Sequence, residues 1–193
     1  MVDVTDIRDL TTLQTVLFMI MFLQSSAKLS DCYAYIGIAL SSALRMGLHR
    51  SIDSNFDCIE RETRKRIFWC IRKLDIYVGA LLGLPRLLQD EDVDQDPPLE
   101  VDDELITCAE IHPMPSNKVS LMAGFNAHCR LVDLLFKVVR YVYPVKPVKD
   151  NKTQTYLVDH QKIRELEQDL QRWMEELPEP FKPNDQIPRE YER

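Results

Sequence analysis

Glycine is scarce in this sequence, with five in 193 residues, and none lies in a G-x-G or G-K-[ST] pattern. This excludes the common phosphate-binding loops of nucleotide-binding proteins. The G-x-S-x-G and S-x-x-K signatures of serine enzymes are also absent. Long apolar runs are lacking as well. The longest, residues 16–23, falls well short of the roughly 20 residues that a membrane helix needs. We therefore predict neither an enzyme nor a membrane protein.

The sequence also lacks closely spaced pairs of cysteines, and it has no excess of basic over acidic residues. The five cysteines are odd in number and form no C-x-x-C pair, so we predict reduced, mostly buried thiols and no metal site or cofactor in this segment. Cys108, His112, His128 and Cys129 are candidate zinc ligands by type, but adjacent side chains on a helix, such as those of His128 and Cys129, point apart and are poorly placed for one ion. The net charge of -7 is opposite to that of typical nucleic-acid-binding domains, so we predict no direct DNA contact by this segment.

Helical periodicity dominates what the sequence contains, and it predicts an all-α, multi-helix bundle of about five main helices. Capping and stop signals include Ser30, Gly47, Asp57 and Gly83. The first helix is apolar almost all round, which predicts a central place in the bundle. The five predicted helices cover about residues 9–24, 30–46, 58–82, 118–143 and 154–177.

An acidic loop, residues 88–104, follows the third helix. Aspartates alternate from Asp90 to Asp96 as in an EF-hand, but Gln95 stands where that loop needs glycine and Val101 where it needs glutamate. We therefore predict a solvated surface loop. A basic cluster in the third helix lies opposite it, which predicts ion pairing within the chain rather than phosphate contacts.

Five motifs occur in order between residues 37 and 98. They are the segment 37–50 that ends in Gly-Leu-His-Arg, the segment 60–69 that ends in Phe-Trp, Leu74-Asp75, Gly83-Leu84-Pro85, and the acidic stretch 90–94 followed by Pro97-Pro98. This series resembles the fungal-specific transcription factor domain, also called the middle homology or xylanolytic-activator regulatory domain, of zinc binuclear-cluster transcription factors. The family motif residues, mainly structural in role, are Gly47, Leu48, His49, Arg50, Glu60, Arg64, Arg66, Phe68, Trp69, Asp75, Gly83 and Pro85.

The resemblance implies a regulatory domain of a fungal zinc-cluster transcription factor, located in the nucleus. Such a domain controls RNA polymerase II transcription by binding a small-molecule effector, in an apolar pocket between helices, or a co-regulator protein. DNA would be bound through a domain missing from this chain, whose N-terminal cluster would hold zinc. The alternative is a helical protein-interaction scaffold without ligand control. A functional role for the motif would join Arg64, Arg66 and Asp75 in a polar network that couples effector binding to activation.

The domain organisation is predicted from proline content. Residues 1–178 are assigned to the regulatory domain, which we expect to be incomplete. Residues 179–193, which carry three further prolines after Pro178, are assigned to a linker or to the start of the next segment.

Overall fold

Five α-helices form the structure, a computed structural model that describes residues 7–51, 56–143 and 160–183. They are α1 (Leu10–Ser25), α2 (Leu29–Arg45), α3 (Cys58–Leu82), α4 (Leu121–Val142) and α5 (His160–Glu175). Two short 3₁₀ turns lie between α3 and α4, and a third follows α5. Within the described ranges there is no β-strand, only one isolated antiparallel bridge between Ile106 and Ile111. The predicted all-α bundle is confirmed. Residues 154–159 of the predicted last helix lie outside the described residues.

Helix α3 is the centre of the bundle. Its 25 residues span about 37 Å at 1.5 Å per residue. It packs against α1, α2 and α4, whereas α5 packs on α4. Phe68 of α3 is fully buried among apolar residues of α1 and α2, including Leu13, Ile20 and Ile36. Burial of this shared apolar surface is what holds the first three helices together.

The prediction that α1 is central was wrong. Phe18 and Phe22 are 71% and 69% exposed, and Met21 is about half exposed. Leu13, Val16, Leu17 and Ile20 form the single stripe that faces the core. Because apolar residues occur on every face of α1, the sequence does not indicate which face α2 and α3 cover.

The helix ends follow the local sequence closely, with one exception. Asp57 accepts a hydrogen bond from the Glu60 amide at 2.8 Å, which caps the start of α3. Gly47 and Gly83 have φ of 72° and 67°, the left-handed conformation that ends a helix without a Cβ clash. The prediction that Ser30 caps α2 was wrong, since α2 begins at Leu29 with Lys28 in the cap position and no side-chain cap.

The segment after α5 also packs on the bundle. Leu177 is buried, and a 3₁₀ turn at Glu179–Phe181 places the Phe181 ring against α4 at Gly124. A Cβ added to Gly124 would lie 2.9 Å from the tip of that ring. The assignment of residues 179–193 to a linker stays a prediction, and 184–193 lie outside the described residues.

Candidate functional site

The polar face of α3 holds the acidic loop against the bundle. Glu62 is the central residue of this contact, with only 3% of its surface exposed. Its Oε1 accepts hydrogen bonds from the backbone amide of Leu99 at 2.8 Å and from Nε of Arg66 at 3.3 Å. A buried carboxylate needs such partners to offset the loss of water. Glu62 therefore ties the loop directly to the first turns of α3.

Arg66 extends the same contact by one helical turn. Its guanidinium donates to the carbonyl oxygen of Val101 at 3.1 Å and forms an ion pair with Asp103. The planar guanidinium makes these bonds and the bond to Glu62 in one fixed geometry. Arg66 thus joins one acidic residue of α3 to two residues of the loop.

Trp69 and Arg72 continue the line of contacts along α3. The indole Nε1–H of Trp69 donates to the carbonyl of Asp96 at 2.8 Å, while Phe68 beside it faces the core. Arg72 donates to Asp90 of the loop at 2.8 Å and lies 2.9 Å from Asp133 of α4. Arg72 therefore links three elements, and we call Glu62, Arg66, Trp69 and Arg72 the loop clamp.

Asp75 orders the turn between α3 and the acidic loop. Its buried carboxylate accepts backbone hydrogen bonds from Leu87 at 2.9 Å and Leu88 at 3.2 Å. Burial raises the pKa of Asp75, and the two amides partly counter it. The hydroxyl of Tyr33 donates to the Pro85 carbonyl at 2.7 Å, which fixes the same turn to α2.

The Gly-Leu-His-Arg motif at the end of α2 contacts the loop from its other side. Leu48 is buried, and its amide donates to the carbonyl oxygen of Ala43 in the last turn of α2. The carbonyl of His49 accepts from the amides of Asp94 and Gln95, each at 3.1 Å. The side-chain amide of Gln95 donates to the carbonyl oxygens of Leu48 and Arg50 at 3.0 and 2.8 Å. The motif therefore forms a second attachment point for the loop.

A cleft of about 220 Å³ lies where these elements meet, between the end of α2, the first turns of α3 and the loop. Arg64 is one of its lining residues. Its Nη2 donates to the Met46 carbonyl at 2.7 Å, and its Nη1 lies 3.6 Å from Glu60. We call this cavity the basic cleft. Its lining includes four cationic side chains, Arg50, Arg61, Arg64 and Lys65, and two carboxylates, Glu62 and Asp96.

A second cavity of about 260 Å³ lies between α1, α3 and α4. Its lining mixes apolar groups such as Leu74 and Val132 with Lys73, His128 and Cys70. The thiol of Cys129 on the same side of α4 is buried, which raises its pKa to about 11. At neutral pH this thiol is protonated and therefore a weak nucleophile.

Among the described residues, no group of three or more histidine, cysteine or acidic side chains is placed to hold a metal ion. Asp90, the first residue of the rejected EF-hand pattern, is engaged by Arg72 and Arg86, both at 2.8 Å. Cys108 and His112 are both exposed. In the described ranges, no helix is both long enough and apolar enough to span a bilayer.

Three contact residues were missed at the sequence level. Glu62 and Arg72 lie within or beside the family motifs but looked like ordinary solvated charges. Asn126 of α4 is buried and donates to the Pro98 carbonyl at 2.8 Å. The spacing of Glu62 and Arg66, four residues apart, was a signal for one ion pair on a helix. Nothing in the sequence indicated that Glu62 of this pair would be buried beneath a loop 37 residues downstream.

Comparison with known proteins connects this geometry to a family. Residues 3–175 match the family described as the fungal specific transcription factor domain. The whole chain is 41% identical to part of Activator of stress genes 1 of Saccharomyces cerevisiae, and 96% of it is 40% identical to part of Activator of stress genes protein 1 of Candida albicans. Over 90% of its length it is 33% identical to part of the transcriptional activator protein acu-15 of Neurospora crassa.

The chain spans about a fifth of the length of these curated relatives: 20%, 20% and 18% in the same order. No solved structure matches the chain.

Proposed function

Because the chain belongs to the fungal specific transcription factor domain family, we propose that it is the regulatory domain of a nuclear, zinc-cluster transcription factor. It controls transcription by RNA polymerase II through an effector or a co-regulator protein, and it is not an enzyme. Residues 1–178 form this domain. DNA is bound by a zinc-containing segment elsewhere in the full polypeptide. One relative named as an activator of stress genes and another named as a transcriptional activator support the transcriptional part of this proposal.

The loop clamp is the observation that carries the proposal. The family motif residues and their neighbours on α3 bind one long loop, and they do so with their polar groups. The side chains of Arg66, Trp69 and Arg72 all donate hydrogen bonds to atoms of residues 90–103. A ligand or partner that competes for these polar contacts would release the loop from α3. A loop held in this way is what a regulatory ligand or partner can bias.

The charge distribution supports regulation rather than direct DNA binding. Lys65 lies 3.7 Å from Asp96, and Arg66 and Arg72 pair with Asp103 and Asp90. These basic side chains of α3 are therefore covered by the acidic loop, where a DNA phosphate would meet repulsion. The role of Arg64, Arg66 and Asp75 in coupling effector binding to activation stays a proposal, supported for Arg66 by its direct contacts with the loop.

A reporter assay tests this function. The chain is inserted between a heterologous DNA-binding domain and an activation domain in yeast, and reporter output is compared with that of the fusion without the chain. We expect the chain to lower output, and Glu62→Gln combined with Arg66→Gln to restore it by weakening the clamp. The matched control is Arg164→Gln with Glu167→Gln, two exposed residues of α5.

The alternative function, a helical scaffold without ligand control, predicts a different outcome. Reporter output would then be the same with the wild-type chain, the clamp variant and the control. Equal output, with all three fusions present at equal levels on an immunoblot, would refute regulation through the clamp.

A further inference from the structure

Two arginines of the basic cleft lack an acidic partner among the described residues. Arg50 donates from Nε to His49 Nε2 at 3.2 Å, and Arg61 donates from Nη2 to the Cys58 sulfur at 3.1 Å. Both acceptors are neutral groups, and sulfur is a weak acceptor. Arg50 and Arg61 thus line the cleft with donors that favour an oxyanion, which a guanidinium binds in a bidentate manner.

The remaining charged groups of the cleft already have partners, and Arg64 lies 3.6 Å from Glu60. Lys65 lies 3.7 Å from Asp96, and Oε1 of Glu62 accepts hydrogen bonds from Arg66 and from the Leu99 amide. Four cations against two carboxylates leave a formal excess of two positive charges among the described lining residues. In a chain of net charge -7, this is a local concentration of positive potential.

Gln95 presents an unpaired acceptor, which favours a ligand that carries a hydrogen-bond donor. Its Nε2 is committed to the carbonyl oxygens of Leu48 and Arg50, which fixes the orientation of the amide. Oε1 of Gln95, a residue of the cleft lining, is buried without a hydrogen-bond partner in the structure. A buried acceptor left unpaired costs roughly 1–3 kcal/mol. A hydroxyl group next to the anionic group of a ligand would supply the missing donor.

We propose that the basic cleft binds a small hydroxylated organic anion, either a hydroxycarboxylate or a sugar phosphate. The inference rests on the proposed function in one respect: this anion would be the effector. Arg50 and Arg61 hold the oxyanion, and Gln95 accepts from the neighbouring hydroxyl. The volume of about 220 Å³ is below the range of about 300–1,000 Å³ of drug-sized ligand sites, so the ligand is a small metabolite.

The position of the cleft explains how such a ligand would act on the clamp. Gln95, Asp96 and Leu99 belong both to the cleft lining and to the loop that α3 holds. Asp96 lines the same cleft as Arg50 and Arg61, so the charge of a bound anion would repel that carboxylate, while its hydroxyl would stabilise Gln95. Occupancy therefore changes the energy of the bound loop.

Isothermal titration calorimetry on the 193-residue chain tests the site. The probes are malate and glucose 6-phosphate, with glucose as the neutral control and ionic strength held constant by sodium chloride. We expect saturable one-to-one binding of at least one of the two anions, and none of glucose. The anion that binds more tightly identifies whether the site prefers a carboxylate or a phosphate.

Variants separate a built site from general electrostatic attraction. Arg50→Gln with Arg61→Gln removes two exposed arginines from the cleft, and we expect at least a tenfold loss of affinity with an unchanged circular dichroism spectrum. Arg130→Gln with Arg140→Gln removes the same charge from exposed positions on α4 and should change affinity less than twofold. Gln95→Glu, which replaces the acceptor amide by a second negative charge, should also weaken binding at least tenfold.

The inference is overturned if neither anion saturates, or if the two double variants lose affinity equally. Preferential binding of a short DNA duplex, with affinity falling steeply as salt rises, would also overturn it and indicate a phosphate-backbone surface. The reporter assay tests the proposed function separately. Intact anion binding with equal reporter output from the wild-type chain, the clamp variant and the control would refute regulation through the clamp and leave the binding site established.

Discussion

Removing the buried carboxylate of the loop clamp should destabilise the protein far more than removing an exposed one from the same helix. Glu62→Ala deletes two hydrogen bonds to a charged acceptor, from the Leu99 amide and from Arg66. Hydrogen bonds to charged groups contribute about 1.5–3 kcal/mol each. Arg66 keeps its bonds to Val101 and Asp103, so its charge does not become isolated. We expect a loss of about 3 kcal/mol in the free energy of unfolding.

Two further variants resolve this loss into its parts. Glu62→Gln keeps an oxygen that accepts from the Leu99 amide but removes the charge, so we expect a loss of about 1 kcal/mol. Glu60→Ala is the matched control, because Glu60 is 41% exposed at its side chain and lies 3.6 Å from Arg64. An exposed ion pair of this kind contributes less than about 1 kcal/mol.

Urea denaturation followed by far-UV circular dichroism measures all three variants. The order of destabilisation should be Glu62→Ala, then Glu62→Gln, then Glu60→Ala. A double-mutant cycle between Glu62→Ala and Arg66→Ala should give a coupling energy of about 1 kcal/mol, as for residues in one network. A cost below about 1 kcal/mol for Glu62→Ala, or a cost equal to that of Glu60→Ala, would refute the clamp as an energetic feature.

Three other changes test separate parts of the structure. Trp69→Phe keeps most of the packing but loses the indole bond to Asp96, so urea denaturation should show a loss of about 1 kcal/mol; no change would mean that this bond is not formed. Gly83→Ala should cost about 1–2 kcal/mol by the same measurement, because φ is 67° and no neighbouring atom lies close enough to clash; a neutral effect would contradict the left-handed end of α3. The pKa of His49 is lowered, first by burial and then by Arg50, so the unfolded chain binds its proton at higher pH than the folded one. Unfolding free energy should therefore fall as pH drops below about 6.5 toward the folded pKa, and His49→Gln should reduce this slope; equal slopes would exclude the buried imidazole.

Local signals explain how much of the fold the sequence predicts. The ends of α3 follow from Asp57 and Gly83, because capping and the left-handed conformation depend only on neighbouring residues. The start of α2 does not follow, because Ser30 is a good cap by type while α2 begins one residue earlier without a side-chain cap. The exposure of Phe18 and Phe22 is also not predictable from periodicity, because it depends on which helices pack against α1.

The candidate site depends on contacts between residues far apart in sequence. The motif residues could be identified as a set, and the ion pairing of the basic cluster with the acidic loop could be expected from charge. The particular pairs of contacting residues could not be predicted from charge. The path of residues 88–104 along α3 depends on backbone groups such as the Leu99 amide and the Asp96 carbonyl. The type of a side chain does not indicate which backbone amide or carbonyl group it will contact in the folded chain.

Native-state hydrogen exchange tests the central claim, that α3 holds the acidic loop in place, most directly. The amide of Leu99 donates to a buried carboxylate, so it should exchange far more slowly than an exposed loop amide. It should also lose protection in Glu62→Ala while the amides in the middle of α3 keep theirs. Rapid exchange at Leu99 in the wild-type chain, with α3 fully protected, would contradict the account.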